Sequence, residues 1–426
     1  MSLKVMVVDP GARGHALAWK LAQSPRVGKV YCAMGNAGTA EIAEHVPIHP
    51  ISAPWLAKFA EANAIDLTVV GTEEAIGARI ADEFSDRGLR IWAPRASAGQ
   101  LEASKIFMKK LLTRIGVPTA PFEVFLDYHK AMAFVSAHGC PLVIKVDGLA
   151  YGKGVSVCHR WIEADEALHE LLMEKKMPSA TRLGVVIEDF IPGEEVSAHA
   201  FCSGRHTLHL PLSCDYKPLY NGNKGPNTGG MGGYSPVDWV SGAIEERIRH
   251  EIIDSIASAM DEEHPFVGMM YPGIMLTPDP MVLEVNARPG DPEFQILLRR
   301  LSSDILEPIE ACIDGTLDAC RITWSPQYAV AVTLVGSGYP GNATSQVERI
   351  RGLEDARRIR GVEIFHAGTT IIDDIVCAMA GKRVLSVTAR ADTLDEACGL
   401  AYEAVHCIAY EGMSYRTDIG RRMRME

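Results

Sequence analysis

The stretch Glu284-Val285-Asn286-Ala287-Arg288 sets a carboxylate, an amide and a guanidinium at alternating positions. Alternate residues of a strand share a face, so in extended backbone all three groups point the same way. A carboxylate plus an amide oxygen suits Mg²⁺ (or Mn²⁺), which takes few protein ligands and leaves its other positions to phosphate and water. Arg288 could fork onto a carboxylate or phosphate beside them. Taken alone, a polar strand end closed by a salt bridge explains these letters more simply.

Two glycine-rich segments lie upstream. The octet Gly225-Pro226-Asn227-Thr228-Gly229-Gly230-Met231-Gly232 is half glycine, which predicts neither a helix nor a paired central strand. Its backbone N–H groups suit an anionic ligand, although a Gly/Pro/Asn cluster is also the signature of a long surface turn. Asp147-Gly148-Leu149-Ala150-Tyr151-Gly152-Lys153-Gly154-Val155 has three residues between its first two glycines, and Gly154 follows Lys153. A phosphate loop that opens a helix needs a gap of four, and a Ser or Thr after the lysine. The segment therefore predicts a hairpin between two strands. Such a hairpin could fold over phosphates, with Lys145 contacting their oxygens as a point charge; a plain hairpin turn fits as well. Val185 to Ile191 leaves a strand with Glu188-Asp189-Phe190, a segment able to hold adenine by backbone groups. Gly11-Ala12-Arg13-Gly14-His15 follows a strand and opens a helix, whose N-terminus could hold phosphate. Asp9 stands where a dinucleotide fingerprint has its first glycine, and no acid ends the next strand, which argues against a nicotinamide cofactor.

Alternating strands and helices must position these groups. Leu3 to Val8, Val30 to Ala33 and Leu67 to Gly71 are β-type, with helical stretches at His15 to Gln23 and Trp55 to Asn63, which predicts a doubly wound parallel sheet. A helix over Ala98 to Ile115 marks the exit from this unit, placing a first domain at 1–104. A middle region over 105–324 contains the hairpin, in a sub-unit of about 122–191, and the octet. It continues through a long helix from Gly242 to Met260, the strands Tyr271 to Leu276 and Met281 to Val285, and a helix over Leu297 to Ile313. Gly290-Asp291-Pro292-Glu293 reads as a turn capping that helix. A β-rich segment over 325–426 ends in a helix from Leu394 to Ile408.

At 426 residues the chain exceeds a single ordinary core. The net charge of −12 argues against nucleic acid as the main partner. No apolar run could span a bilayer, and Met1 runs directly into a strand without a signal peptide, so a cytoplasmic protein is expected. The ten cysteines include no C-x-x-C pair and suit reduced thiols. His206 and His209, three apart in an alternating segment, point to opposite faces and are read as structural.

In this order the pieces resemble the glycinamide ribonucleotide synthetase family of ATP-grasp ligases, over nearly the whole chain. The resemblance rests on Gly35-Asn36-Ala37-Gly38-Thr39-Ala40, Gln100 to Lys105, Lys145 to Val155, the octet with Tyr234-Ser235-Pro236, and Gly290-Asp291-Pro292-Glu293. Near the end, Tyr339-Pro340-Gly341, Phe365-His366-Ala367-Gly368-Thr369 and Asp418-Ile419-Gly420 match as well. It implies an α/β ATP-grasp fold with a Rossmann-like first domain, a mobile lid and a β-rich C-terminal domain. It implies ATP and Mg²⁺, with glycine activated as an acyl phosphate and joined to 5-phosphoribosylamine. By that resemblance Lys105, Lys145, Gly148, Gly152, Lys153 and Gly154 hold ATP phosphates. Glu188, Phe190 and Ile191 take adenine, and Glu195 takes ribose. Glu284 and Asn286 bind the metal, and Arg288 and Lys145 serve catalysis. Gly11, Arg13, His15, Glu73, Asp215, Asn227, Thr228, Gly229, Gly230 and Arg288 face the amine and amino-acid substrates. The partners implied are small molecules, without nucleic acid or membrane, for a monomer or homodimer.

Several substrate-side motifs depart from the family pattern. G-x-G-G-R-E-H-A is here Asp9-Pro10-Gly11-Ala12-Arg13-Gly14-His15-Ala16, Q-D-H-K-R is Cys214-Asp215-Tyr216-Lys217-Pro218, and N-C-R-F-G is Asn286-Ala287-Arg288-Pro289-Gly290. The departures leave room for a ligase joining another carboxylate and amine. Intact Lys105, Lys145, Glu284, Asn286 and Arg288 argue against a silent nucleotide-binding protein.

Overall fold

A computed structural model of the chain describes residues 2–149, 154–174, 184–341 and 345–422. The first unit is a parallel sheet in the order Glu44–Val46, Val27–Ala33, Leu3–Val8, Leu67–Val70, Ile91–Trp92. Val5, Met6, Val7 and Val8 are fully buried because helices cover both faces of the sheet, among them Ala12–Leu21 and Ala53–Asn63. The strand order reverses between Leu3–Val8 and Leu67–Val70, and ligands of such sheets bind at that reversal, beyond the carboxyl ends of the strands. Asp9 follows the first of those strands directly, and Thr72-Glu73 follow the second after Gly71.

The helix expected from Ala98 to Ile115 is two helices, Gln100–Ala103 and Lys105–Ile115. Ser104 between them is extended, and its hydroxyl accepts a hydrogen bond from Phe107 N–H (3.0 Å), capping the second helix. An antiparallel sheet follows, ordered Phe122–Phe125, Val185–Asp189, Leu142–Val146, Val155–Cys158. The last two pair with Lys145 opposite Val155, as the hairpin reading expects.

A second antiparallel sheet is built on the ten-residue strand Val267–Leu276. One edge pairs with Ala200–Ser203 and then Glu194–Ser197, and the other with Pro280–Asn286. Behind it pack Lys105–Ile115 and the helical run Gly242–Arg247, Ile248–Asp254, Ser255–Glu263, whose middle turn is π-wound. The helical stretch expected after Leu297 divides into Glu293–Arg300 and Leu306–Asp314.

The octet corrects its expectation. Lys224–Asn227 pairs with Pro218–Tyr220 in an exposed two-stranded ladder, and Gly232 opens the strand Gly232–Ser235. That strand is internal to the sheet Cys214–Asp215, Gly232–Ser235, Tyr328–Val335, Arg383–Ala391, Val362–His366. A Cβ on Gly232 (φ +146°) would lie 2.4 Å from the Ala331 carbonyl oxygen, and one on Gly233 would lie 2.3 Å from that of Cys214. These glycines are spent on close strand packing rather than on a ligand. Helix Leu394–Cys407 covers one face of this sheet, and Glu293–Arg300 packs against Ala329 and Ala331 of the strand beside Gly232–Ser235.

Candidate functional site

Where the parallel sheet, the hairpin sheet, the long-strand sheet and the C-terminal sheet meet, they enclose a cavity of about 1210 Å³. On the hairpin side, Lys145 leaves its strand buried, and its ammonium donates to the Leu283 carbonyl (2.8 Å). Leu283 sits where the pairing of Val267–Leu276 with Pro280–Asn286 slips by one residue, between Gly273 opposite Glu284 and Ile274 opposite Val282. A bulge frees that carbonyl from the ladder and aims it at the lysine. Glu188 faces Lys145 across 2.5 Å and Lys109 across 2.7 Å. Burial disfavours ionisation of Glu188, but Lys145 and Lys109 outweigh it and hold its pKa below the ordinary carboxylate value. Lys109 is wholly buried and also donates to Thr119 Oγ1 and the Ala120 carbonyl, both at 2.8 Å.

On the floor, Glu284 and Asn286 share a face of their strand. Lys105 Nζ stands 3.3 Å from Glu284 Oε2, and Lys217 Nζ stands 3.6 Å from Oε1. Burial opposes the charge on Glu284; Lys105, Lys217 and Lys145 overcome it and hold the carboxyl well below its usual range. Lys217 also pairs with Glu195. Gly273 makes room for both acids, since a Cβ there would meet Glu195 Oε1 and Glu284 Cγ at 3.3 Å. An ionised carboxylate and an amide oxygen on one face, with cations already drawn to them, fit Mg²⁺ whose remaining ligands are phosphate and water. Among the described residues no cluster of three His, Cys, Asp or Glu side chains could hold a metal without such help.

Deeper in, Tyr271 and Ser197 (2.9 Å) donate to Glu293. Burial and the Glu293 charge push the Asp215 carboxyl well above its usual range, and its Oδ1 is buried without a hydrogen-bond partner. Arg383 reaches in from the C-terminal sheet, donating to the carbonyls of Gly229 and Asp291 (2.7 Å for Asp291) and to Asp291 Oδ2 (2.9 Å). Asp291 is thus an ion-pair partner, and the helix after it carries no side-chain cap.

Toward the parallel sheet, Arg288 Nε lies 3.1 Å from both Glu73 Oε2 and Glu102 Oε1, aligned for a hydrogen bond with neither. Its Nη1 donates to the Pro289 carbonyl (3.0 Å) and its Nη2 to Asn286 Oδ1 (3.3 Å). Burial opposes the charge on Glu73 as well, but Arg288 and Arg13 bring its pKa down to about 2.

Residues 3–102, 103–294 and 329–422 match, in turn, the N, ATP-grasp (A) and C domains of phosphoribosylglycinamide synthetase. The chain belongs to the phosphoribosylglycinamide synthetase family. It is 41% identical over 422 residues to the phosphoribosylamine–glycine ligase of Brucella melitensis, covering 99% of this chain and 98% of that one. It is 42% identical over 420 residues to that of Neisseria meningitidis serogroup B, covering 98% of each. The crystal structure of phosphoribosylamine–glycine ligase from Thermotoga maritima superposes with a TM-score of 0.84 at 29% identity, over 98% of this chain and 100% of that one.

Of the residues that the synthetase resemblance picked out, most line the one cavity. Lys105, Lys145, Gly148, Gly154, Glu188, Phe190, Ile191 and Glu195 do so on the hairpin side and the adjoining floor. Asp215, Glu284, Asn286, Arg288, Asn227, Thr228 and Gly229 line the floor, and Gly11, Arg13 and Glu73 the far end. Gly152 and Lys153 lie outside the described residues. Two stand elsewhere. His15 is buried between domains, where its Nδ1 accepts the His366 N–H (2.9 Å); burial and then Arg357 lower its pKa to about 3. Gly230 (φ +105°) is a spacer, since a Cβ there would meet Pro292 Cδ at 2.5 Å. The Glu188 side chain is engaged by lysines rather than turned to a base. Sequence reasoning passed over Lys109, Lys217, Glu102 and Arg383. Only Lys217 carried a local signal, two residues from Asp215 on the same face.

Proposed function

We propose that this synthetase-family chain joins glycine to 5-phosphoribosylamine at the expense of ATP, giving glycinamide ribonucleotide, ADP and phosphate. What carries the reading is the single cavity in which an ATP-grasp lysine pair, the Glu284–Asn286 face and Arg288 adjoin the reversal point of the N-terminal sheet. A glycine carboxylate oxygen attacks the γ-phosphorus, and the bond to the bridging oxygen breaks as ADP leaves. The amine nitrogen then attacks the acyl carbon, phosphate departs with its oxygen, and the amine gives up a proton to solvent. No enzyme nucleophile is required. Positioning and neutralisation of charge supply the rate.

Lys105 and Lys145 meet the ATP phosphates, and Glu188 keeps Lys145 aimed. The backbone of Phe190 and Ile191 takes adenine, and Glu195 takes ribose. Glu284 and Asn286 would hold Mg²⁺, which when bound neutralises charge on the phosphoryl oxygens. Arg288 faces the acyl phosphate, and Gly11 and Glu73 lie on the amine side. No described helix is long and apolar enough to cross a membrane; we place the reaction in the cytoplasm, on a monomer or homodimer.

ADP release with Mg²⁺-ATP, comparing glycine plus fresh phosphoribosylamine against a panel of other amino acids and amines, tests this. Turnover confined to the first pair is expected. Silence there with turnover elsewhere in the panel would assign another carboxylate and amine.

A further inference from the structure

Arg13 and Arg288 come from different domains, 275 positions apart in the sequence, yet they share a carbonyl acceptor and a carboxylate counter-charge. Arg13 Nη1 donates to the Pro289 carbonyl at 2.7 Å, the same oxygen that takes Arg288 Nη1 at 3.0 Å. Arg13 Nη2 stands 3.6 Å from Glu73 Oε2, the same oxygen that lies 3.1 Å from Arg288 Nε. Arg13 itself is only 6% exposed and is anchored from behind, its Nε donating to Asp9 Oδ2 at 2.8 Å. Asp9 is fixed in turn, because its Oδ1 accepts the Gly11 N–H (2.6 Å). Its side chain fills a slot walled by two glycines. A Cβ on Gly14 would come within 2.7 Å of Asp9 Cβ, and one on Gly71 within 2.5 Å of Asp9 Oδ2.

We infer that Arg13 is a positioning residue for Arg288: braced by Asp9, it holds the Pro289 carbonyl and the Glu73 carboxylate in the places that orient the Arg288 guanidinium. Two guanidiniums so close repel unless a carboxylate lies between them, and Glu73 does. A planar fork can serve Asp9, Pro289 and Glu73 in three directions at once. A lysine ammonium on a flexible stem cannot hold all three. The clamp ties the end of the N-terminal sheet to the group that faces the acyl phosphate, so its loss falls on the first chemical step. A direct contact between Arg13 and the amine substrate, the expectation from sequence, would leave that step untouched.

The inference rests on the proposed glycine chemistry, and the test separates the two. With the full-length protein, Mg²⁺-ATP, glycine and hydroxylamine but no phosphoribosylamine, acyl phosphate is trapped as the hydroxamate. Arg13→Lys and the near-isosteric Asp9→Asn are each expected to lower kcat for hydroxamate by roughly 10²-fold, the scale of a misplacement of about 1 Å. KM for ATP should stay near wild type and the conservative lysine should give no rescue, while Asp9→Asn, which leaves a buried guanidinium without its counter-charge, should melt at a lower temperature. Placing Arg13→Lys in an Arg288→Lys background should add little further loss, because the two act as one unit. Variants with wild-type hydroxamate rates and only a raised KM for phosphoribosylamine would overturn the clamp in favour of substrate contact. If Arg13→Lys fails to fold, Asp9→Asn decides alone, and wild-type kcat there overturns the clamp. A wild-type protein that makes no hydroxamate would instead overturn the glycine reading, and the clamp with it.

Discussion

Glu188→Gln should destabilise the protein by about 3–5 kcal/mol and weaken ATP binding at least tenfold. The carboxylate is 3% exposed and lies 2.5 Å from Lys145 Nζ and 2.7 Å from Lys109 Nζ, themselves 5% and 0% exposed as residues. An amide keeps one acceptor oxygen and turns an N–H donor toward the other ammonium, so two buried cations lose the counter-charge they share. Removing one side of a buried ion pair typically costs about 3–5 kcal/mol, because the remaining charge stays desolvated. Lys109 keeps Thr119 and Ala120 and Lys145 keeps Leu283, so hydrogen bonds persist and the loss is one of charge. Burial already lowers the Lys109 pKa, and loss of Glu188, which opposes that effect, should lower it further. Urea unfolding reports the first effect through the shift in midpoint, and ATP titration calorimetry reports the second. Lys109→Met combined with Glu188→Gln should lose less than the sum of the single changes by at least about 1 kcal/mol, since the partner left uncompensated is gone. An unchanged midpoint and ATP affinity in Glu188→Gln, or strict additivity in the double variant, would refute the claim that this carboxylate supports the lysines.

Glu284→Gln should abolish turnover, by roughly 10³-fold or more, with the fold intact by circular dichroism, because one anionic ligand of the expected metal face is lost; near-wild-type activity at low Mg²⁺ would remove Glu284 from that face. Acid should weaken the fold in a defined window. Burial, helped by Arg357 at His15 and by Arg288 at His199, lowers each imidazole from 6.5 to about 3. The unfolded chain takes up protons that these sites refuse, so their contribution is complete above about pH 6.5 and declines as pH falls toward 3. Near pH 5 the loss is about 2 kcal/mol for each histidine, and a urea midpoint unchanged between pH 7.5 and pH 5 would contradict it. Glu73, depressed from 4.5 to about 2, loses its contribution at lower pH, as pH falls through 4.5 toward 2. Asn36→Ala should lower stability by about 2–4 kcal/mol, read by thermal melting. Its amide donates to the carbonyls of Pro10 (2.9 Å) and His366 (2.7 Å) and accepts from Gly38 and Thr39 N–H (both 3.0 Å), latching the first domain to the last.

The sequence by itself determined what depends on near neighbours in the chain. Strand alternation set Glu284 and Asn286 on one face, and the spacing of glycines around Lys153 called for a hairpin instead of a helix. Hydrophobic runs joined by helical stretches required a parallel first sheet. Those features follow from φ/ψ limits and a two-residue period, which act over a handful of positions. Tertiary structure alone decided the rest. The bulge that aims the Leu283 carbonyl at Lys145 depends on how two strands slip against each other. The octet looked like ligand-binding loop throughout, yet Gly232 belongs to a strand, because the backbone of Tyr328–Val335, about a hundred residues on, leaves no room for a Cβ. Glu188 read as a contact for adenine until folding enclosed Lys109 beside it, and His15 read as a ligand until His366 closed over it. A charged side chain takes whichever counter-charge the packed domains bring within about 3 Å in a low dielectric, where each such contact is worth far more than in water. That choice is made between residues tens to hundreds of positions apart, and nothing in the local letters encodes it.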